Sequence, residues 1–354
     1  MEKTRVCVTG GSGYLGSWLV KKLLHKGYIV HATLRSLDEK SKVGLLKSLP
    51  NANTGLVLFK ADIYDPNDFQ AAIEGCNYVL HLATPLQHNT KSSLYKDTRE
   101  AAIAGVKTIA DCCLKSQSVK KLIYTSSVMA SSPLKDDGSG FESYWDESCW
   151  TTINDTPFTY FFNYPCICNC VLKAYTMSKT SAEKEILSYN ATASDPDTGL
   201  EVVSLVCGLV GGDTILSYLP ASMSTIISPL FGDSLNSYYQ SLQHLQELLG
   251  CVPLVHIEDV CEAHVLCMEK PSLKGRFICS NADPTAKEIT EYFKNNNPNS
   301  ELEILDDCSI IGERGSRCSS IELIKLGFEH KFNMADILDG SVHCGKMLGS
   351  LPNK

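Results

Sequence analysis

Apolar residues recur along the chain with two alternating periods. Arg5–Thr9 is a short β-branched run, and beyond it Trp18, Leu19, Leu23 and Leu24 fall at helical spacing within Ser17–Lys26. Tyr28–Leu34 reads as a second strand, Ser41–Leu49 as a helix, Gly55–Lys60 as a strand and Pro66–Glu74 as a helix. Tyr78–Leu82, the long helical stretch Tyr95–Gln117 and the strand Lys121–Thr125 continue the alternation. This order predicts an α/β fold of the Rossmann type, a doubly wound parallel sheet covered by helices on both faces.

From about Ser127 to Lys173 the regularity fails. Asp136-Asp137-Gly138-Ser139-Gly140 has the composition of a surface loop, and Thr156–Val171 is aromatic and cysteine-rich without a clear period. Helical spacing resumes over Ala174–Tyr189, followed by a buried strand at Leu200–Val206. Pro220–Leu230, Val260–Met268, Thr285–Asn295 and Ser319–Lys325 read as helices, Leu254–Ile257 and Leu302–Leu305 as strands. The expected organisation is a cofactor domain from residues 1–205 with about 250–268, and a smaller C-terminal substrate lobe from about 206–249 and 269–354. Internal repeats and low-complexity linkers are absent from the sequence.

The segment Val8–Gly16 ends the first strand and opens the first helix. Gly10, Gly13 and Gly16 permit a tight turn, close approach of backbone to a pyrophosphate, and close helix–sheet packing. With Ser12, Tyr14 and Leu15 they form a turn whose helix N-terminus favours phosphate charge. The alternative reading, an ordinary glycine turn, is weakened by its place at the start of a βαβ unit. An acid at the end of the second strand would favour NAD. The chain has Arg35 there, with Lys40 and Lys42 nearby, and a guanidinium grips a 2′-phosphate through forked, charge-assisted bonds. NADPH is therefore the expected cofactor. Asp62, with Ile63 beside it, follows the third strand as a candidate for the adenine edge, or else as a turn former.

Tyr175-Thr176-Met177-Ser178-Lys179 sets a phenol and an ammonium four residues apart on one helix face. A nearby ammonium stabilises phenolate, which predicts a tyrosine lowered toward working pH and able to exchange a proton with a substrate oxygen. Thr125-Ser126-Ser127 ends a strand at the carboxyl edge of the sheet, where doubly wound folds bind ligands. A serine hydroxyl there can hold a reacting carbonyl.

Composition narrows the class. The 354 residues carry a net charge of −8, which argues against nucleic acid or an anionic membrane as the main partner. No apolar run reaches the length of a membrane span, and the first strand leaves no room for a secretory segment before it. A cytoplasmic protein is expected, acting on a small molecule, as a monomer or weak homo-oligomer without stable membrane insertion. The sixteen cysteines are expected to be mostly reduced thiols serving as small apolar residues. Cys166-x-Cys168-x-Cys170 does not match structural-zinc spacing, so no metal is expected.

Taken together these residues resemble the extended short-chain dehydrogenase/reductases, and more closely the plant dihydroflavonol reductase-like group, which includes anthocyanidin reductase, vestitone reductase and cinnamoyl-CoA reductase. The matching stretches are Val6–Leu19, Ala32–Arg35, Ala61-Asp62, His81–Pro85, Lys121–Ser127, Tyr175–Lys184, His256–His264 and Gly275–Ser280. The resemblance implies a Ser127, Tyr175 and Lys179 triad. It implies that Arg35 and Lys42 hold the 2′-phosphate and that Leu82, Ala83 and Thr84 run along the ribose and pyrophosphate. It also implies an NADPH-dependent reductase of a ketone, aldehyde or flavonoid-like phenolic in plant specialised metabolism, nearest to anthocyanidin or vestitone reductase. Two alternatives are an epimerase or dehydratase of nucleotide sugars that retains NAD, and a non-catalytic dinucleotide sensor.

The chain departs from the group in several places, among them the absence of the cinnamoyl-CoA reductase signature around Tyr175. The stretch before Tyr175 is longer, with Phe158, Tyr160, Phe161, Phe162 and three cysteines in the added material, and reads as an active-site flap or plain packing rather than a membrane or partner contact. Cys207 stands at a usual proline position, and Ser131-Ser132 stand where dihydroflavonol 4-reductases usually carry asparagine.

Overall fold

Val6, Cys7 and Val8 are fully buried, as are Val79 and Leu80, Leu122 and Ile123, and Val202 and Val203. Strands covered on both faces need such continuous apolar runs, which is why periodicity of two is missing from them. The computed structural model describes residues 3–65, 67–85, 94–135, 137, 139–153, 167–192, 199–296, 304–305 and 314–352. Its strands are β1 Arg5–Thr9, β2 Ile29–Leu34, β3 Leu56–Lys60, β4 Tyr78–His81, β5 Lys121–Ser127, β6 Tyr144–Trp145, β7 Glu201–Cys207, β8 Leu209–Gly211, β9 Leu254–His256, β10 Gly275–Cys279 and β11 Arg317–Cys318. Seven form one sheet in the order β10-β7-β5-β4-β1-β2-β3. The pairs β1–β2, β1–β4, β2–β3 and β4–β5 are parallel, with Thr9 opposite His81 at the carboxyl ends of β1 and β4. The order of strands reverses between β1 and β4, the point at which such sheets take ligands.

The chain divides into two compact units. The first comprises Met1–Ser126, Met177–Leu205 and Cys261–Phe277. Helix α1 (Tyr14–His25) buries Leu19, Val20, Leu23 and Leu24, and ends where Gly27 takes φ +86°. Between β2 and β3 lies α2 (Lys40–Lys47). Helix α3 (Thr98–Ser116) starts at Asp97, whose side chain accepts from the Glu100 amide at 2.8 Å, and stops at left-handed Gln117. Its inner face joins Cys7, Phe69, Ile73, Tyr124, Ile186 and Val202 in one core. Cys7, Cys76, Cys112 and Cys113 are buried free thiols in that core, and burial raises all four.

The second unit comprises Ser127–Thr176, Val206–Val260 and Ile278–Lys354, so residues 127–176 cluster here rather than with the sheet domain, as the sequence pattern had them. Its core gathers Trp145, Tyr239, Leu242, Leu249, Phe293 and Ile337. Helices α4 (Ile167–Thr192) and α6 (Ile257–Glu269) each contribute residues to both units, and α5 (Ser237–Leu249) lies between them in sequence. Helices α7 (Ala286–Asn296) and α8 (Met334–Met347) follow, α8 opening with a reciprocal Asn333–Asp336 capping box.

Several expectations shift. The helix expected from Ala174 begins at Ile167, so the end of the segment expected to be irregular is helical. The helix expected over Pro220–Leu230 ends at Ile226, and Ser228–Phe231 continues as a 3₁₀ turn containing Pro229, which cannot donate to a helix ladder. Helix α5 is unpredicted: its Tyr, Ser and Gln content masks a face of Tyr239, Leu242, Leu245 and Leu249 that is buried. Ile304 and Leu305 are not in a strand. Phe158, Tyr160, Phe161, Phe162 and Cys166 lie outside the described residues, as do the side chains of Cys168 and Cys170.

Candidate active site

The glycine turn is built as the sequence requires. Gly10 takes φ +69°, and its amide donates to Thr33 Oγ1 at 3.2 Å while the Gly11 amide donates to the Thr33 carbonyl at 2.9 Å. These two bonds tie the turn to β2. The Gly13 amide donates to the Gly10 carbonyl at 3.0 Å, closing the turn on itself. A Cβ on Gly16 would sit 2.2 Å from the Gly10 oxygen, and one on Gly10 3.2 Å from the Ala83 backbone. The N-terminus of α1 has no side-chain cap and no acid in its first turn. A helix N-terminus favours negative charge, and the tight glycine cradle fits a dinucleotide pyrophosphate.

A second loop meets this turn within the same unit. Thr9 Oγ1 accepts from the amides of Leu82 at 3.0 Å and Ala83 at 3.1 Å, and lies 2.8 Å from His81 Nδ1. A hydroxyl has two acceptor sites and one proton, so Thr9 donates that proton to His81 Nδ1. Burial, with the charge of Lys179 adding to it, pushes the His81 imidazole down to about 3, which keeps it neutral. Thr9 and His81 were not singled out from sequence. The only signal was the resemblance of His81–Pro85 to the family pattern.

Arg35 follows β2 directly and is exposed. Lys42, in the first turn of α2, pairs with Glu39 at 2.5 Å. The Lys42 hydrogen bond holds the Glu39 carboxyl below its usual range, and the Arg35 charge adds to this, so the two cations act on one patch. Asp62 accepts from the Tyr64 amide at 3.1 Å, which makes it a turn former in this structure. Ile63 packs on α3 where a Cβ at Gly105 would meet it at 2.5 Å.

The groups expected to react lie along α4 and β5. Lys179 is buried, and its Nζ donates to Thr84 Oγ1 at 2.9 Å and to the Thr125 carbonyl at 2.8 Å. It also stands 5.0 Å from the centroid of the Tyr124 ring. Thr125 Oγ1 is in turn 2.7 Å from His264 Nε2. Tyr175, one turn earlier on α4, is hydrogen-bonded by Ser127. Ser127 Oγ also accepts from the Met129 amide at 3.3 Å and so caps the short turn Val128–Ala130. The lowered phenol expected from Lys179 is not what this environment produces. Burial pushes Tyr175 up to about 12, with only the Ser127 bond acting downward and the neighbouring Cys207 acting upward. Among the described residues no group of three or more His, Cys, Asp and Glu is arranged to hold a metal ion.

Residues 7–155 match the 3-beta hydroxysteroid dehydrogenase/isomerase family. A Ginkgo biloba protein that carries an anthocyanidin reductase name is 36% identical over 350 residues, covering 99% of this chain and 96% of its own length. The chain belongs to the extended short-chain dehydrogenase/reductases. Within these reductases, dihydroflavonol 4-reductase of Gerbera hybrida is 34% identical over 98% of this chain and 87% of its own. The solved structure of vestitone reductase from alfalfa shares 30% identity with a TM-score of 0.74, covering 99% of this chain and 100% of that one. These reductases carry three different substrate names at similar identity, so identity alone selects none of them. As in the sequence reading, no helix among the described residues is long and apolar enough to cross a membrane.

Proposed function

We propose that this protein is an NADPH-dependent reductase of a ketone, aldehyde or flavonoid-like phenolic substrate. The observation that carries the reading is the Ser127 bond to Tyr175 on the helix that, one turn later, holds buried Lys179. The dinucleotide, when bound, supplies the hydride. The residues that would hold it are the Gly10–Gly16 turn and the α1 N-terminus at the pyrophosphate, Leu82 to Thr84 beside them, and Arg35 with Lys42 at the 2′-phosphate.

A phenol pushed up to about 12 is fully protonated at neutral pH, so Tyr175 enters reduction already loaded as the proton donor. Ser127 lowers that phenol by donating to its oxygen in the free protein, and a bound carbonyl would take that single proton in its place, which is how the hydroxyl positions it. Lys179 is kept at a fixed height by two acceptors, Thr84 Oγ1 and the Thr125 carbonyl, and orients the sugar next to the nicotinamide. The relatives' names, anthocyanidin reductase, dihydroflavonol 4-reductase and vestitone reductase, support a flavonoid-like phenolic substrate of plant specialised metabolism. Arg35, in place of an acid, favours NADPH over a retained NAD.

The test is NADPH oxidation by the purified protein against cyanidin, dihydroquercetin, vestitone and phenolic aldehydes, with product identification. Turnover is expected with at least one, and Tyr175→Phe should lower kcat about 100-fold or more while NADPH binding stays near wild type. Full turnover in Tyr175→Phe would remove the tyrosine as proton donor. Absence of turnover across the panel, with NADPH bound, would favour a dinucleotide sensor.

A further inference from the structure

Beyond Tyr175 and Lys179, α4 carries a third ionisable residue in the same series. Tyr175, Lys179 and Glu183 follow at intervals of four, and Glu183 is fully buried. Its carboxylate is held on both oxygens. Oε2 accepts from Ser126 Oγ at 2.7 Å, and Oε1 accepts from Ser204 Oγ at 2.6 Å and from Arg276 Nε at 2.8 Å. Arg276 adds a longer bond to Oε2 at 3.4 Å, and its side chain is only 6% exposed. One carboxylate thus joins α4 to β5, β7 and β10.

The contact with β5 differs in kind from the others. Lys179 donates to the Thr125 carbonyl, and Ser126, the next residue of that strand, donates to Glu183, one turn further along the helix. Two successive residues of β5 are therefore tied to two successive turns of α4. Such a double tie sets both the height of the helix along the strand and its rotation about its own axis. The residue that follows on β5 is Ser127, and one turn back on α4 is Tyr175. Reacting groups must be held to a fraction of an ångström, and a displacement of about 1 Å costs on the order of 10²-fold in rate.

We propose that Glu183, through Ser126, is a positioning residue for the Ser127–Tyr175 pair, with Arg276 as its counter-charge. This rests on the reductase reading above. Glu183 moves no proton and touches no substrate. It registers the helix that carries the donor against the strand that carries the serine.

Replacing Glu183 directly would strand the buried Arg276 charge and could unfold the chain. The informative variants are Ser126→Ala and Ser204→Ala, each of which removes one neutral donor from the same carboxylate and leaves the Arg276 pair in place. Ser126→Ala should lower kcat about tenfold with KM for substrate and NADPH within about twofold, and Ser126→Thr should restore it. Ser204→Ala should keep kcat within about twofold of wild type. Equal losses in the two alanine variants would show that the network acts on stability alone, and an unchanged kcat in Ser126→Ala would overturn the proposal.

A second readout does not need turnover. In protein labelled with 3-fluorotyrosine, the Tyr175 signal is identified by its loss in Tyr175→Phe. Ser126→Ala should shift or broaden that ¹⁹F signal, and Ser204→Ala should leave it in place. An unmoved signal in Ser126→Ala refutes the positioning role even if no substrate is found, which separates this proposal from the reductase reading.

Discussion

Replacing Gly16 by alanine tests the cofactor cradle at its tightest point. The added Cβ would lie 2.2 Å from the Gly10 oxygen, 3.0 Å from the Gly10 carbonyl carbon and 3.1 Å from Gly11 Cα. All three are backbone atoms, so no side chain can rotate away. Comfortable carbon contacts begin near ~3.5 Å, so the turn must retreat from α1 by about 1 Å. That displacement pulls the Gly10–Gly13 loop off the α1 amides proposed to bind phosphate. Loss of one or two charge-assisted hydrogen bonds, at about 1.5–3 kcal/mol each, corresponds to a Kd for NADPH raised about 10–100-fold or more. The strain itself should cost about 1–3 kcal/mol of stability. Gly44→Ala is the control, because its Cβ would meet nothing within 4 Å and the site is exposed within α2. That change should leave NADPH binding alone and stabilise the fold by about 0.5–1 kcal/mol. The assay is a fluorescence titration of NADPH, paired with melting curves with and without the cofactor. A folded Gly16→Ala protein that binds NADPH within about twofold of wild type would refute the placement of the pyrophosphate in this turn.

Arg35→Asp should weaken NADPH far more than NADH, shifting the ratio of the two affinities about 10–100-fold, and calorimetric titration of both cofactors that finds the ratio unmoved would remove Arg35 from the 2′-phosphate site. Glu247 gives a pH prediction, because burial pushes its carboxyl up to about 7. A raised acid is protonated in the folded chain where the unfolded chain has lost its proton, so its contribution to stability is present below about pH 4.5 and is lost as pH rises through 7. Glu247→Gln should therefore match wild type in melting temperature near pH 4.5 and exceed it at pH 8 by the equivalent of about 1–3 kcal/mol. Equal pH slopes for the two proteins would show that Glu247 is solvated.

Much of the first unit was legible because its physics is local. Val6–Val8, Val79-Leu80 and Leu122-Ile123 announce strands buried on both faces, and the glycines at 10, 13 and 16 announce the turn. Tyr175 and Lys179 could be paired because helical spacing alone brings them to one face. The same local reasoning failed where partners are distant in sequence. The lysine was expected to lower the tyrosine, but Lys179 spends its donors on Thr84 and the Thr125 carbonyl, 95 and 54 residues away. Thr9 looked like the end of a strand, since its role depends on amides 73 and 74 residues further on. Ser126 and Arg276 stand 57 and 93 residues from Glu183, and no spacing rule links them. Helix α5 escaped notice for a different reason. Its apolar stripe is narrow, and the glutamines that fill the gaps lower the average on which periodicity is judged.

The interleaved first unit has a consequence for synthesis on the ribosome. Strand β5 pairs with β4 on one side and β7 on the other, but β7 begins only at Glu201. At about 5–20 residues per second, the open flank of β5 waits several seconds for its neighbour. The buried amine of Lys121 meets the Glu201 carboxylate when β7 arrives, but its acceptor at the Cys267 carbonyl lies 146 residues downstream. During that interval the nascent chain shows an unpaired strand of Leu, Ile and Tyr together with an unmatched ammonium. A charge at the head of an open strand is one of the devices by which proteins discourage edge pairing with a second chain.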